Sequence, residues 1–313
     1  MITIITNSLL FLFIAFFNGI IISKVLKFEL LKLNFFEISL LGIVFSGFIA
    51  QIINFFYPIN DFIIYLNLVM ILLFNFFYKN NYKIFFSKQT NFIILIFILL
   101  AFLNIYGSEF SDDLNHYHYS SIINSDKSNY IIGLSHLHHM FANSSIWLIT
   151  HSFFNLDYSR LQDIHVLNGL LFFLILTLFT HEILKSTNKK QINNYTAFIL
   201  LILVFVLLKY TRLKEFGIDR PAFLIFYFFL YFYFKNFLIK NWNENLEEKI
   251  LILVYLSLFL FHIKIIFFFS GIIPIYYIIK TRKFKLFKSI KFIPVYIIVF
   301  SFFLKNILIS GVK

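Results

Sequence analysis

The sequence contains no cysteine. Disulfides, Cys-ligated zinc, iron–sulfur clusters and thiol catalysis are therefore excluded. Charge is scarce too: 13% of the 313 residues are Asp, Glu, Lys or Arg, where a soluble domain carries about a quarter. Only 4 Pro and 9 Gly occur, and no Pro-rich linker, repeat or low-complexity tail interrupts the chain. What fills the sequence is apolar: 60% hydrophobic residues, 48 Phe and 18 Tyr, with mean hydropathy +0.84. One aqueous core could not hide that many rings, and a disordered chain would not contain them. The composition predicts an all-α, polytopic integral membrane protein. The excess of Phe, Ile, Lys and Asn also matches the codon bias of an AT-rich genome, so ring abundance alone carries no functional message.

A bilayer core of about 30 Å takes roughly 20 apolar residues per helix. The apolar runs predict spans at 1–23, 35–57, 61–78, 91–106, 164–184, 193–209, 221–239 and 292–307. The run 250–279 is too long for one span and is broken by His262 and Lys264. It is predicted as two short helices, 250–262 and 265–279, in a tight hairpin, which brings the total to about ten. The first helix lacks the basic flank and small-residue cleavage site of a signal peptide.

Basic residues set the orientation. Loops 24–34, 79–90, 185–193, 240–249 and 280–291 hold 17 of the 27 Lys and Arg, against 7 on the opposite side. The positive-inside rule places the richer side in the cytoplasm, and both termini and segment 107–163 outside. Topology and anionic headgroups thus account for the net charge of +12, rather than nucleic acid.

Segment 107–163 gathers six of the nine His with Glu109, Asp112, Asp113, Asp126, Asp157 and Asp163. Such a collection beside a helix end could run acid–base or metal chemistry, or be a solvated polar loop. In S-D-D-L-N-H-Y-H-Y-S, residues 111–120, Ser111 or Asp112 can cap a helix running to about Asn124. Asp113 then sits in the first turn, favoured as carboxylate by the helix dipole, and faces His116 and Tyr117. The apolar stretch 141–154 is too short to span and predicts an interfacial helix anchored by Trp147. His116-x-His118 and His136-x-His138-His139 lack the i, i+4 pairing of a helical zinc site, so no motif implies the divalent metal that converging His could hold.

Two further features carry charge. T-R-L-K-E-F-G-I-D-R, residues 211–220, places Arg212, Lys214 and Arg220 between two spans, and Pro221 marks a helix start. Their geometry suits a phosphate or pyrophosphate headgroup, while snorkelling at helix ends is the competing account. Lys264, beside His262, is an intramembrane cation and a functional candidate by default, with the same competing account.

D-L-N-H-Y-H at 113–118, G-L-S-H-L-H at 133–138 and F-A-N-S-S at 141–145 resemble the pattern of a family of uncharacterised bacterial multipass proteins. R-L-K-E-F-G-I-D at 212–219 and K-N-I-L-I-S-G at 305–311 are similar to later signatures of that family. The family in turn resembles the GT-C glycosyltransferases, which use polyprenyl-phosphate sugars. The resemblance implies three N-terminal helices within 1–90, then a GT-C-like module over 91–313 with its long outward loop at 107–163. It maps the acidic pair onto Asp112 and Asp113, and the short cation-bearing hairpin onto 250–279. It also implies a parent chain that continues past S-G-V-K.

The reading is a sugar transfer on the outer face of the bacterial cytoplasmic membrane, from a polyprenyl-phosphate donor held among membrane lipids. Asp113, with Asp112 second, would take the acceptor proton. Arg212, Lys214, Arg220 or Lys264 would meet the leaving phosphate, and Tyr117 and His118 would position sugar or phosphate. A transporter or flippase is the rival, and a polysaccharide polymerase or ligase the third reading.

Overall fold

The computed structural model describes residues 2–28, 33–78, 85, 117–143, 145–154, 164–188, 194–210, 217–239 and 245–311. Among them no strand occurs. Long apolar runs in lipid must pair their own backbone groups, which a helix does within the segment. The α-helices are α1 (Ile2–Val25), α2 (Phe35–Ile53), α3 (Asp61–Phe77), α4 (Tyr119–Lys127), α5 (Ile146–Phe153) and α6 (Val166–Asn188). There follow α7 (Asn194–Tyr210), α8 (Asp219–Tyr233, prolonged by a π-helical stretch Phe234–Ile239), α9 (Leu246–Ile263), α10 (Ile272–Lys280) and α11 (Ile293–Ser310).

Five described helical stretches are long and apolar enough to cross a bilayer: Ile5–Val25, Phe35–Ile53, Val166–Thr187, Asp219–Leu238 and Ile290–Ser310. Asp61–Phe77, Asn194–Lys209 and Ile265–Lys280 are shorter apolar helices. The chain is an all-helical membrane protein. The expected helix 91–106 lies outside the described residues.

The chain divides into two compact units. Unit 1 takes 1–43, 65–111 and 154–216. In it α1 packs on α6 and α6 on α7. The crossing of α1 with the start of α2 is close: a methyl on Gly19 would meet the Ile38 carbonyl, and one on Gly42 the Ala15 carbonyl. Small residues at such crossings let helices approach in lipid, where packing rather than water drives association.

Unit 2 takes 44–64, 112–153 and 217–313. Its centre is the hairpin. Helix α9 ends at Ile263, Lys264 is extended (φ −152°, ψ 122°), and the chain returns as a 3-10 segment, Ile265–Gly271, leading into α10. Ser257 on the first leg donates to the Ser270 carbonyl on the second at 3.2 Å. Lys283 then reaches Glu247 at 2.9 Å, so the chain is back beside the start of α9. The break predicted at His262 and Lys264 falls there, although the first leg begins at Leu246.

Helix α11 is amphipathic inside out. Its exposed stripe is Ile293, Tyr296, Ile297, Phe300, Phe303 and Ile307, while Ser301 and Lys305 are buried. In water that arrangement would be reversed; in lipid, apolar groups face out and polar groups face protein. Helix α5 corrects an expectation. Every residue of Ile146–Phe153 is buried, and Trp147 is fully buried against His151, with ring centroids 5.4 Å apart. Trp147 is therefore a core residue and not an interface anchor, because its helix is flanked by α4 and α9.

Candidate functional site

Helices α9 and α11 run in the same direction. Lys291, just before α11, pairs with Glu248 at 3.5 Å, and Phe302 lies 4.6 Å from His262 between ring centroids. At a rise of 1.5 Å per residue, Gly311 lies about 13 Å beyond the level of His262. Unit 2 thus has two distinct ends. We call them the loop end, with Lys264 and Gly311, and the basic end, with Glu247 and Lys283.

The loop end is assembled from segments far apart in sequence. Helix α11 stops at Gly311 in the left-handed conformation (φ 66°), a position that favours glycine. Gly133, also left-handed (φ 72°), donates its N–H to the Leu308 carbonyl at 2.8 Å. A methyl on Gly311 would stand 2.9 Å from Gly133 Cα and 3.0 Å from His136 Nε2. The stretches G-L-S-H-L-H and I-S-G therefore interlock. Asn54, buried just after α2, donates through Nδ2 to the carbonyls of Ser125 and Ser128 at 3.2 Å each. Its own carbonyl accepts from the Tyr130 N–H at 3.2 Å. These bonds surround a cavity of about 40 Å³ lined by Asn54, Ser121, Asn124, Tyr130 and Ser145 among others. The Tyr130 hydroxyl is buried without a hydrogen-bond partner among the described residues, and burial pushes it well above its ordinary range. The cavity has a mostly apolar lining with a few polar groups and is roomy enough for a water.

Carboxylates and cations meet at this end. Burial raises the pKa of Asp126, the like charge of Asp61 adds to that, and Lys127 opposes it. His118 is buried beside Tyr117, with ring centroids 4.0 Å apart, and His136, His138 and His139 are exposed. Arg220 is buried in the first turn of α8, which begins at Asp219, two residues ahead of the proline expected to start it. Lys264 Nζ donates to Asp219 Oδ1 at 2.5 Å, across 45 residues of sequence. The structure thus brings Lys264 to the start of α8, one residue from Arg220. Asp112, Asp113, His116, Arg212 and Lys214 lie outside the described residues. So does the expected capped start of the helix; α4 is Tyr119–Lys127 and runs three residues further than expected. Among the described residues no three His, Asp or Glu are grouped to hold a metal ion.

One group of residues was not picked out from sequence. Gln51 Nε2 donates to Ser301 Oγ at 2.7 Å, and Gln51 Oε1 lies 3.2 Å from His262 Nδ1. Lys305, one turn further along α11, is also fully buried. Polar residues from α2, α9 and α11 thus meet inside the helix bundle of unit 2. Gln51, set among apolar residues near the end of its span, was the available signal, since intramembrane polar residues usually face a partner.

No curated protein and no solved structure matches the chain. A family model does, over residues 1–313, and the chain belongs to that family, described as a domain of unknown function (DUF8201).

Proposed function

We propose that the chain is a membrane glycosyltransferase-like protein that moves a sugar from a polyprenyl-phosphate donor to an acceptor hydroxyl at the loop end of unit 2. The full reading has about ten spans, a GT-C-like module over 91–313 and the loop end on the outer face of a bacterial cytoplasmic membrane. The observation that carries it is the interlocking of 133–138 with 308–311, at the end of unit 2 where Lys264 meets Asp219. Stretches on which the resemblance rests are thereby gathered at one end of one unit, where a reaction centre would need them.

In the transfer, the acceptor oxygen bonds to the sugar C1 as the bond from C1 to the phosphate oxygen breaks. The acceptor proton passes to Asp113, with Asp112 the second choice, and the lipid phosphate leaves with the bonding pair. Arg220, Lys264, Arg212 and Lys214 supply positive charge for that phosphate. Tyr117 and His118 position sugar or phosphate. Lys264 begins in its pair with Asp219 and would exchange that carboxylate for the phosphate.

The test uses the full chain in phosphatidylcholine vesicles with a polyprenyl-phosphate hexose, following release of polyprenyl phosphate. Asp113→Asn should cut release by about 10²–10⁴-fold, the worth of a general base, with donor retention unchanged. Arg220→Ala should weaken donor retention. Release that is independent of both residues overturns the reading.

A second reading, a transporter or flippase, is favoured by the buried contacts of Gln51 with His262 and Ser301, since transporters place polar groups inside the bundle. It expects Gln51→Leu to stop lipid or solute movement across the vesicle, with no sugar transfer at any time. A polysaccharide polymerase or ligase would share the topology and keep its turnover in Asp113→Asn.

A further inference from the structure

At the basic end of unit 2, α10 ends on Lys280 and the connector to α11 carries Arg282, Lys283, Lys285, Lys288 and Lys291. Two of these cations are committed to protein: Lys283 to Glu247 at 2.9 Å and Lys291 to Glu248 at 3.5 Å. Two side chains anchor the connector inward, Leu286 and Phe292, both buried. Tyr255 on α9 adds a third tie by donating to the Lys291 carbonyl at 3.0 Å. The connector is therefore held down at both ends and in its middle.

What remains points away from the protein in a regular order. Arg282, Lys285 and Lys288 are exposed and have no ion-pair partner among the described residues. Interleaved with them, Phe284, Phe287 and Ile290 are also exposed, Ile290 at 81%. Large apolar side chains alternating with cations fit no aqueous surface. They fit the boundary between headgroups and acyl chains, where rings enter the apolar layer and cations meet phosphate. The position agrees, because the connector joins the end of α10 to the start of a stretch long enough to span, Ile290–Ser310.

We infer that residues 282–290 form a seat for anionic phospholipid, with Phe284, Phe287 and Ile290 inserted below the headgroups and Arg282, Lys285 and Lys288 binding their phosphates. The two glutamates of α9 bind Lys283 and Lys291 to the protein, which leaves Arg282, Lys285 and Lys288 for lipid. This seat lies at the opposite end of unit 2 from the sugar-transfer reading and does not depend on it.

The test exploits the absence of cysteine. Phe287→Cys and Ile290→Cys in the full chain, each carrying a nitroxide, are reconstituted in vesicles of phosphatidylglycerol and phosphatidylcholine. Collisions with oxygen should exceed those with a chelated nickel ion at both positions, as for a label below the headgroups. Separately, purified chain carrying phosphatidylglycerol is diluted into phosphatidylcholine, and the retained phosphatidylglycerol is counted. The variant R282Q/K285Q/K288Q should retain less by at least about fivefold, the worth of one basic residue at an anionic surface. Labels freely reached by nickel would overturn the seat. Labels shielded from both reagents would overturn it in favour of a protein partner. Retention unchanged in the triple variant, with its melting temperature unaltered, would overturn it as well.

Discussion

At the loop end of unit 2, backbone meets backbone: the Gly133 N–H enters the Leu308 carbonyl, and Gly311 closes on Gly133 with no room for a methyl. At the basic end, the connector ahead of α11 is tied to α9 by long side chains, Lys283 with Glu247 and Lys291 with Glu248. The difference teaches how each end should respond to change. Contacts between main chains fix position to a fraction of an ångström and fail abruptly, as a reaction centre requires. A half-exposed pair of flexible side chains such as Lys283 with Glu247 holds loosely and yields at little cost, which suits a surface that must follow a fluid bilayer.

Substitutions should separate the two ends by size of effect. Trp147→Ala empties the fully buried heart of α5 at the loop end and should cost about 3–5 kcal/mol, read as a fall in melting temperature in detergent. Gly311→Ala forces a side chain into a left-handed position and against Gly133, and should cost about 1–3 kcal/mol by the same assay. Lys283→Gln removes a half-exposed pair at the basic end and should cost less than about 1 kcal/mol, declining further with salt. An equal cost for Lys283→Gln and Gly311→Ala would erase the contrast.

The smallest effect is a pH dependence confined to the loop end. The Asp126 carboxyl is raised above 3.8 in the folded chain, so folding favours its protonated form. Its stabilising contribution is present at acid pH and is lost as pH rises through the folded value. Asp126→Asn should therefore raise the melting temperature slightly at neutral pH and make no difference below about 3.8, the unperturbed value. A change of the opposite sign at neutral pH would mean that Lys127 outweighs Asp61 and burial.

Most helices were legible because lipid enforces a simple rule: apolar runs of the right length become helices. The turn at Lys264 was legible for the same reason, since two polar residues stood where apolar ones were due. Trp147 was misread because a short apolar helix beside the membrane looks alike whether it lies on lipid or under protein. Only the packing of α4 and α9 on α5 distinguishes the two. The meeting of Gly133 with Gly311, and of Gln51 with Ser301 across 250 residues, depends on how helices stack, and spacing along the chain carries no record of that. The candidate acids Asp112 and Asp113 lie outside the described residues, so of the expected site residues the structure brings together only Lys264, through Asp219, and the neighbouring Arg220.

The returning leg of the hairpin has a consequence for how the chain enters a membrane. Sixteen residues, Ile265–Lys280, would measure about 24 Å as a plain α-helix. Winding the first seven as a 3-10 helix, with a rise of about 2.0 Å per residue, lengthens the leg to about 27 Å, close to the hydrocarbon thickness. The tighter winding thus recovers reach that the sequence is too short to provide. Its partner α9 carries Glu247, Glu248 and Lys249 in its first turn, so its apolar run starts at Ile250 and ends at Ile263, shorter than the roughly 17 residues a lone span needs. The two legs should therefore enter the bilayer as one paired unit, and a residue deleted from 265–271 should disturb insertion of both.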